Sequence, residues 1–290
     1  MARRNASSRA PLTTELPTGP VPTSTGHAEL VPDPGSLRSY TLMLDGVPSS
    51  HVDLDDAGYL EFEYMQQMAA VLDRLAPPRA PLDVVHLGAA GCSLARYVHA
   101  GRPRSRQIAV EIDPVLAGHV RAWFDLPRSP SLRIRVGDAR SVLEAMPDAS
   151  ADAVVRDVFA DAQTPAHLQT AEFTAQVARV LRPGGVYLAN CADRPPLTLA
   201  RSEAATVRDV FAVVAMTAEP AQLRGRRYGN VVLAASDDDA VLADPALARA
   251  IRSLPAPTRL LIGAELAAFA GAAPVLRDPT EPPSPAPMAG

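Results

Sequence analysis

The 290-residue chain carries a formal net charge of −4 and is 47% hydrophobic, which fits one soluble domain with at most a small appendage and gives no reason to expect a nucleic-acid partner. All 28 basic residues are Arg, which excludes Lys-based Schiff-base and Walker chemistry, and two cysteines, Cys92 and Cys191, can build neither a disulfide framework nor a zinc site. No run approaches the roughly 18 apolar residues of a membrane span, and Arg3, Arg4 and Arg9 precede no signal-peptide core, so a cytoplasmic setting is expected.

In chain order, residues 1–35 are rich in Pro, Thr and Ser and are expected to be a disordered tail. Residues 36–80 form an N-terminal β-hairpin and helix: a strand at 40–44, a turn at Asp45-Gly46, a return strand at 47–54, then helical spacing from Tyr59 to Leu75. Residues 81–277 read as the main domain. Its first strand, 82–87, runs into Gly88-Ala89-Ala90-Gly91-Cys92-Ser93 and a helix at 94–100. Strands at 108–110, 132–136 and 151–155 end at or near Glu111, Asp138 and Asp157, and a helix at 168–181 precedes a fifth strand at 186–189. A helix at 199–211 leads to a closing antiparallel pair, 213–217 and 230–235, joined by the basic loop Arg224-Gly-Arg-Arg227, and a late helix spans 242–254. Residues 278–290 form a second Pro-rich disordered tail. The pattern is an α/β, Rossmann-like doubly wound sheet, whose ligands sit outside the carboxyl ends of the strands.

The candidate chemistry lies at those ends. The small residues of the 88–93 loop would let backbone approach a ligand, although a plain strand-to-helix turn has the same composition. One strand later, Glu111 could accept both hydrogen bonds of a ribose diol, while Asp113-Pro114 also reads as a helix N-cap. Asp138, followed by Ala139, could engage an adenine amine or cap the helix beginning there. Asp157 could hold or deprotonate an attacking amine, with Asp161 as a second acid. Of the pairs Tyr59 with Glu61 and Glu63 with Tyr64, one could face the cleft, and spacing does not choose between them. Cys92 and the histidines read as structural, and no metal motif appears.

With these motifs in order, the chain from about residue 40 to 278 resembles the spermidine synthase-like (polyamine aminopropyltransferase) family, within the class I S-adenosylmethionine methyltransferase-like fold. The resemblance rests on Leu44-Asp-Gly-Val47, Val110-Glu-Ile-Asp113, Gly137-Asp138-Ala139, Asp157, Leu181-Arg-Pro-Gly-Gly185, Asn190 and Tyr228-Gly-Asn230. It implies an adenosyl sulfonium bound by the 88–91 loop, Glu111 for ribose, Asp138 for adenine, and Asp157 with Tyr59 serving a small amine acceptor. It also implies no metal and a possible homodimer. Several positions depart from the family. Gly91 stands where the family has an Asp that would hold the aminopropyl amine, Ala160 replaces a second acid, and the hairpin Gln near Ser49 is missing. A loop carboxylate about 4 Å from the carboxylate of intact S-adenosylmethionine would repel it by about 4 kcal/mol at an effective dielectric of about 20, about a thousandfold in affinity. Without it, the donor is either decarboxylated S-adenosylmethionine, for aminopropyl transfer, or S-adenosylmethionine itself, for methyl transfer. A non-catalytic nucleoside-binding protein of the same fold is the third reading.

Overall fold

The computed structural model describes residues 16–36, 38–160 and 163–279. Four antiparallel strands, β1 (Val21–Pro22), β2 (His27–Pro32), β3 (Ser39–Leu44) and β4 (Val47–Asp53), form a small sheet in sequential order. The hairpin between β3 and β4 closes over Asp45-Gly46, both at positive φ, the geometry a two-residue turn demands. Residues 21–22 and 27–32 correct the expected disordered tail: His27–Pro32 buries only Ala28 and Leu30, a period-2 signal too short to stand out among its Pro- and Thr-rich flanks. Residues 1–15 of that tail lie outside the described residues.

The helix after the hairpin, α1 (Glu63–Leu72), starts four residues later than its apolar spacing suggests, because Phe62 is extended and Tyr59 lies in the preceding loop. The main sheet then alternates strand and helix: β5 (Asp83–Leu87), α2 (Ser93–Gly101), β6 (Arg106–Glu111), α3 (Pro114–Trp123), β7 (Leu132–Val136), α4 (Ala139–Glu144) and β8 (Ala151–Arg156). It continues through α5 (Ala171–Val180), β9 (Leu181–Asp193), α6 (Thr198–Val210), β10 (Val213–Ala218), α7 (Pro220–Leu223) and β11 (Gly229–Ser236). The chain ends in α8 (Pro245–Arg252), β12 (Arg259–Ile262) and α9 (Gly263–Ala270). The last two elements lie beyond the sequence reading because β12 is only four residues long and the Ala-rich α9 is apolar nearly all round, so neither shows a clear period.

The strand order is β12-β10-β11-β9-β8-β5-β6-β7, parallel from β7 to β9 and antiparallel beyond. The winding reverses between β5 and β8, so the chain ends of these two strands open a crevice. Strand residues alternate between two buried faces. Val85, Leu87 and Val154 pack toward α5 and α6, while Val84, Ala153 and Val155 pack toward α1, α2 and α8. The small sheet buries Leu30, Leu42 and Val52 against Leu116, Val120 and Trp123 of α3, so it covers one flank of the crevice. After α9, residues 273–278 return over the domain: Ala171 donates to the Leu276 carbonyl (2.9 Å), and Arg140 clamps both oxygens of Asp278 (2.7 and 2.6 Å). Asp278 is therefore tied down rather than part of a disordered tail, and residues 280–290 of that tail lie outside the described residues.

Candidate active site

The loop after β5 is built by backbone necessity. Gly88 has φ +88°, and a Cβ there would meet the Asp157 carbonyl oxygen at 2.2 Å, so only glycine lets the ends of β5 and β8 lie this close. Its N–H donates to Val110 (3.1 Å) and the Asp157 N–H to Leu87 (2.8 Å), which carries the strand ladder one step past each end. Ala90 and Cys92 also take positive φ, winding the loop tightly into α2. Strand β4 then laces down on it. The Ser50 hydroxyl accepts from the Gly91 N–H (3.0 Å), and Ser93 donates to the His51 carbonyl (2.6 Å). A Cβ at Gly91 would lie 2.8 Å from that of Ser50, so a larger residue at 91 would require the hairpin to move. Burial pushes the Cys92 thiol up to about 12, and it is a packing residue here.

Two acids follow β6. Glu111, 9% exposed, accepts from the N–H groups of Ala90 (3.1 Å) and Asp113 (3.1 Å). Burial raises its pKa, only partly offset by these donors. Asp113 is the N-cap of α3, accepting from Val115 (2.8 Å) and Leu116 (2.9 Å), and its second oxygen takes the N–H and hydroxyl of Thr25 (2.9 and 3.0 Å). Burial opposes ionisation of Asp113, but the Leu116 and Thr25 donors prevail and bring it down to about 2. The segment before β2 thus locks onto the loop through Thr25, a contact with no counterpart in sequence spacing. Between the acids, Ile112 is 63% exposed, and Val136 at the end of β7 is half-exposed. Asp138 caps α4 through the Ser141 N–H (2.9 Å) and pairs with His167 (3.0 Å). Burial works against its charge, yet Ser141 and His167 leave its pKa lowered. Ala139 is buried in the first turn of α4.

Asp157, half-buried beyond β8, accepts from the Tyr64 hydroxyl (2.9 Å) and the Asn190 amide (2.9 Å). Burial raises its pKa against the pull of Asn190, Tyr64 and Arg156. Beneath it, the Arg156 guanidinium donates to the carbonyls of Leu168 (2.8 Å) and Asn190 (3.0 Å) and forms a fully buried ion pair with Glu203. The expectation for Tyr59 is corrected: its exposed hydroxyl bonds Glu61, and it lines an outer groove of 440 Å³ with Gln66, Tyr97 and Leu254. The tyrosine on Asp157 is Tyr64, whose spacing with Met68 and Val71 puts it on the inner face of α1, whereas Tyr59 precedes the helix. Glu203 went unread too, though it shares a buried helical stripe with Ala200, Ala204 and Val207. Asp161 lies outside the described residues. Among the described residues no cluster of three His, Cys, Asp or Glu side chains could hold a metal ion, and no helix is long and apolar enough to cross a membrane.

A sheet of this order, with its crevice at the β5–β8 reversal and acids at or just beyond the ends of β6, β7 and β8, defines a class I methyltransferase-like fold. A family described as Methyltransferase domain matches residues 85–189. A probable spermidine synthase from Corynebacterium glutamicum is 37% identical, with a TM-score of 0.84 over 91% of this chain and 97% of that one. The polyamine aminopropyltransferase of Chromobacterium violaceum is 29% identical over 167 residues, 55% of this chain and 60% of that protein, and that of Vibrio vulnificus is 30% identical over 152 residues, 52% and 49%. The chain thus spans about half the length of these curated relatives. Human methyltransferase-like protein 13, solved in complex with SAH, is 26% identical, with a TM-score of 0.55 over 67% of this chain and 90% of that one. The chain belongs to the spermidine synthase-like family of the class I methyltransferase-like fold, a family of transferases.

Proposed function

We propose that the chain transfers an aminopropyl group from decarboxylated S-adenosylmethionine to a small amine acceptor. The observation that carries the reading is Asp157, half-buried in the crevice and braced from both sides by Tyr64 and Asn190. The surrounding residues suit an adenosyl sulfonium. Exposed Ile112 and Val136 offer an apolar wall to a purine, and Glu111, its two oxygens each with one backbone donor, keeps lone pairs for a ribose diol. When bound, the donor supplies an electrophilic carbon with a good leaving group already in place. Asp157 holds the acceptor nitrogen in line and takes its proton as the carbon–nitrogen bond forms and the carbon–sulfur bond breaks. A raised pKa makes Asp157 a stronger base than a solvated aspartate. Tyr64 and Asn190 fix its carboxylate plane, so that positioning, the main source of rate in such a displacement, is built into the fold.

A second reading, methyl transfer from S-adenosylmethionine, is favoured by Gly91. No carboxylate stands there to repel that of the intact donor, and Ser50 fills the space instead. Product analysis with each donor and a panel of amines separates the two. Aminopropyl transfer releases methylthioadenosine and methyl transfer releases S-adenosylhomocysteine; formation of the latter alone would overturn the first reading.

A further inference from the structure

Strand β9 does not stop where its parallel neighbour stops. Arg156, the last residue of β8, pairs with Ala189, yet β9 continues through Asn190 to Asp193, paired there with β11 up to Gly229. Four residues of strand raise a ledge about 13 Å above the crevice floor, directly beside Asp157. Two loops meet on its crest. One follows β9 with Arg194; the other joins α7 to β11 with Arg224, Arg226, Arg227 and Tyr228, and Gly225 lies against Pro195, 3.7 Å from where its Cβ would be.

Among the described residues this crest is net positive, with Arg194, Arg224, Arg226 and Arg227 set against the two carboxylates of Asp193 and Glu219. Arg227 pairs with Glu219, and the Asp193 carboxylate is taken by the N–H groups of Arg194 (2.7 Å) and Ala200 (2.9 Å). Arg194, Arg224 and Arg226 are exposed, and among the described residues their side chains have no partner. Tyr228 beside them is 52% exposed. The acceptor side of the crevice is therefore bipolar, with the Asp157 carboxylate at the floor and a rim on which three unpaired guanidiniums outweigh the single carboxylate of Asp193. A diamine reaching upward from Asp157 would carry its second ammonium into those guanidiniums.

We propose that the acceptor is an amine bearing an anionic group, a carboxylate or a phosphate, about 10–13 Å from its nucleophilic nitrogen, held by Arg194, Arg224 and Arg226 while Asp157 engages the amine. The inference rests on the reading of Asp157 as the amine-binding base. Guanidinium forks match both anions, and an exposed site gives selectivity rather than high affinity.

The test is calorimetric titration of the full chain with diaminooctane, ω-aminooctanoate and ω-aminohexyl phosphate, with and without saturating methylthioadenosine. The three probes share a nucleophilic end and differ at the other. The expected result is that at least one anionic probe binds about tenfold more tightly than diaminooctane at low salt. The Arg224→Gln/Arg226→Gln variant should remove that preference. The Arg249→Gln/Arg252→Gln variant, with the same charge change on exposed residues of α8, should keep it. Tighter binding of the carboxylate or of the phosphate identifies which anion the rim takes. Equal or stronger binding of diaminooctane, or a preference that survives the Arg224/Arg226 change, overturns the proposal. Methylthioadenosine that fails to bind while the anion preference persists would count against the transferase reading alone.

Discussion

Replacing Glu111 by Gln separates two roles that coincide in one carboxylate. In the structure each oxygen already accepts one backbone N–H, from Ala90 and from Asp113, both at 3.1 Å. A Gln must turn its NH2 toward one of these donors, leaving a buried N–H without an acceptor at a cost of about 1–3 kcal/mol in stability. If Glu111 also receives a ribose diol, two bonds to an ionised acceptor of about 1.5–3 kcal/mol each become neutral or are lost. A net loss of about 2–3 kcal/mol is expected, so the dissociation constant for methylthioadenosine should rise by about 30- to 150-fold. Urea unfolding reads the first effect and calorimetric titration reads the second, at a temperature where the variant is fully folded. Lower stability with an unchanged dissociation constant would show that Glu111 only braces the loop, and would refute the ribose assignment.

Other consequences follow from the same geometry. Asp157→Asn should abolish turnover while leaving the donor dissociation constant within about threefold; retained turnover would end its role as base. In Tyr64→Phe the carboxylate loses a bond that favours its charged form, so the Asp157 pKa rises further. Because the base acts when deprotonated, the acid limb of the kcat/KM profile should move to higher pH, and an unmoved limb would mean that Asp157 does not set it. Glu203→Ala leaves the buried Arg156 charge unpaired and should lower stability by about 3–5 kcal/mol in urea unfolding. A loss under about 1 kcal/mol would mean that water or backbone compensates Arg156.

Much of this arrangement was legible because its signals are local. The strand at residues 82–87 ends in a small-residue loop, Asp45-Gly46 marks a hairpin, and Asp113-Pro114 announces the cap that Asp113 forms. What escaped depends on contacts across the fold. Tyr64 and Tyr59 were equivalent by spacing until Phe62 broke the helix between them, and Thr25 reaches Asp113 across 88 residues. Asn190 was visible only through family likeness, since nothing near it in sequence reveals that β8 brings Asp157 to its amide. Strands β1 and β2 were hidden because their few apolar residues are buried by a neighbouring sheet and α3 rather than by their own periodicity.

The central claim, a crevice built for an adenosyl sulfonium that donates its aminopropyl group, is tested most directly by parallel calorimetric titration with S-adenosylmethionine and its decarboxylated form. The account predicts that both bind and that the decarboxylated form binds more tightly, since the carboxylates of Glu111 and Asp157 flank the crevice and Ser50 takes the Gly91 N–H that could have served a carboxylate. Equal binding, or tighter binding of the carboxylated form, would contradict aminopropyl transfer and favour methyl transfer.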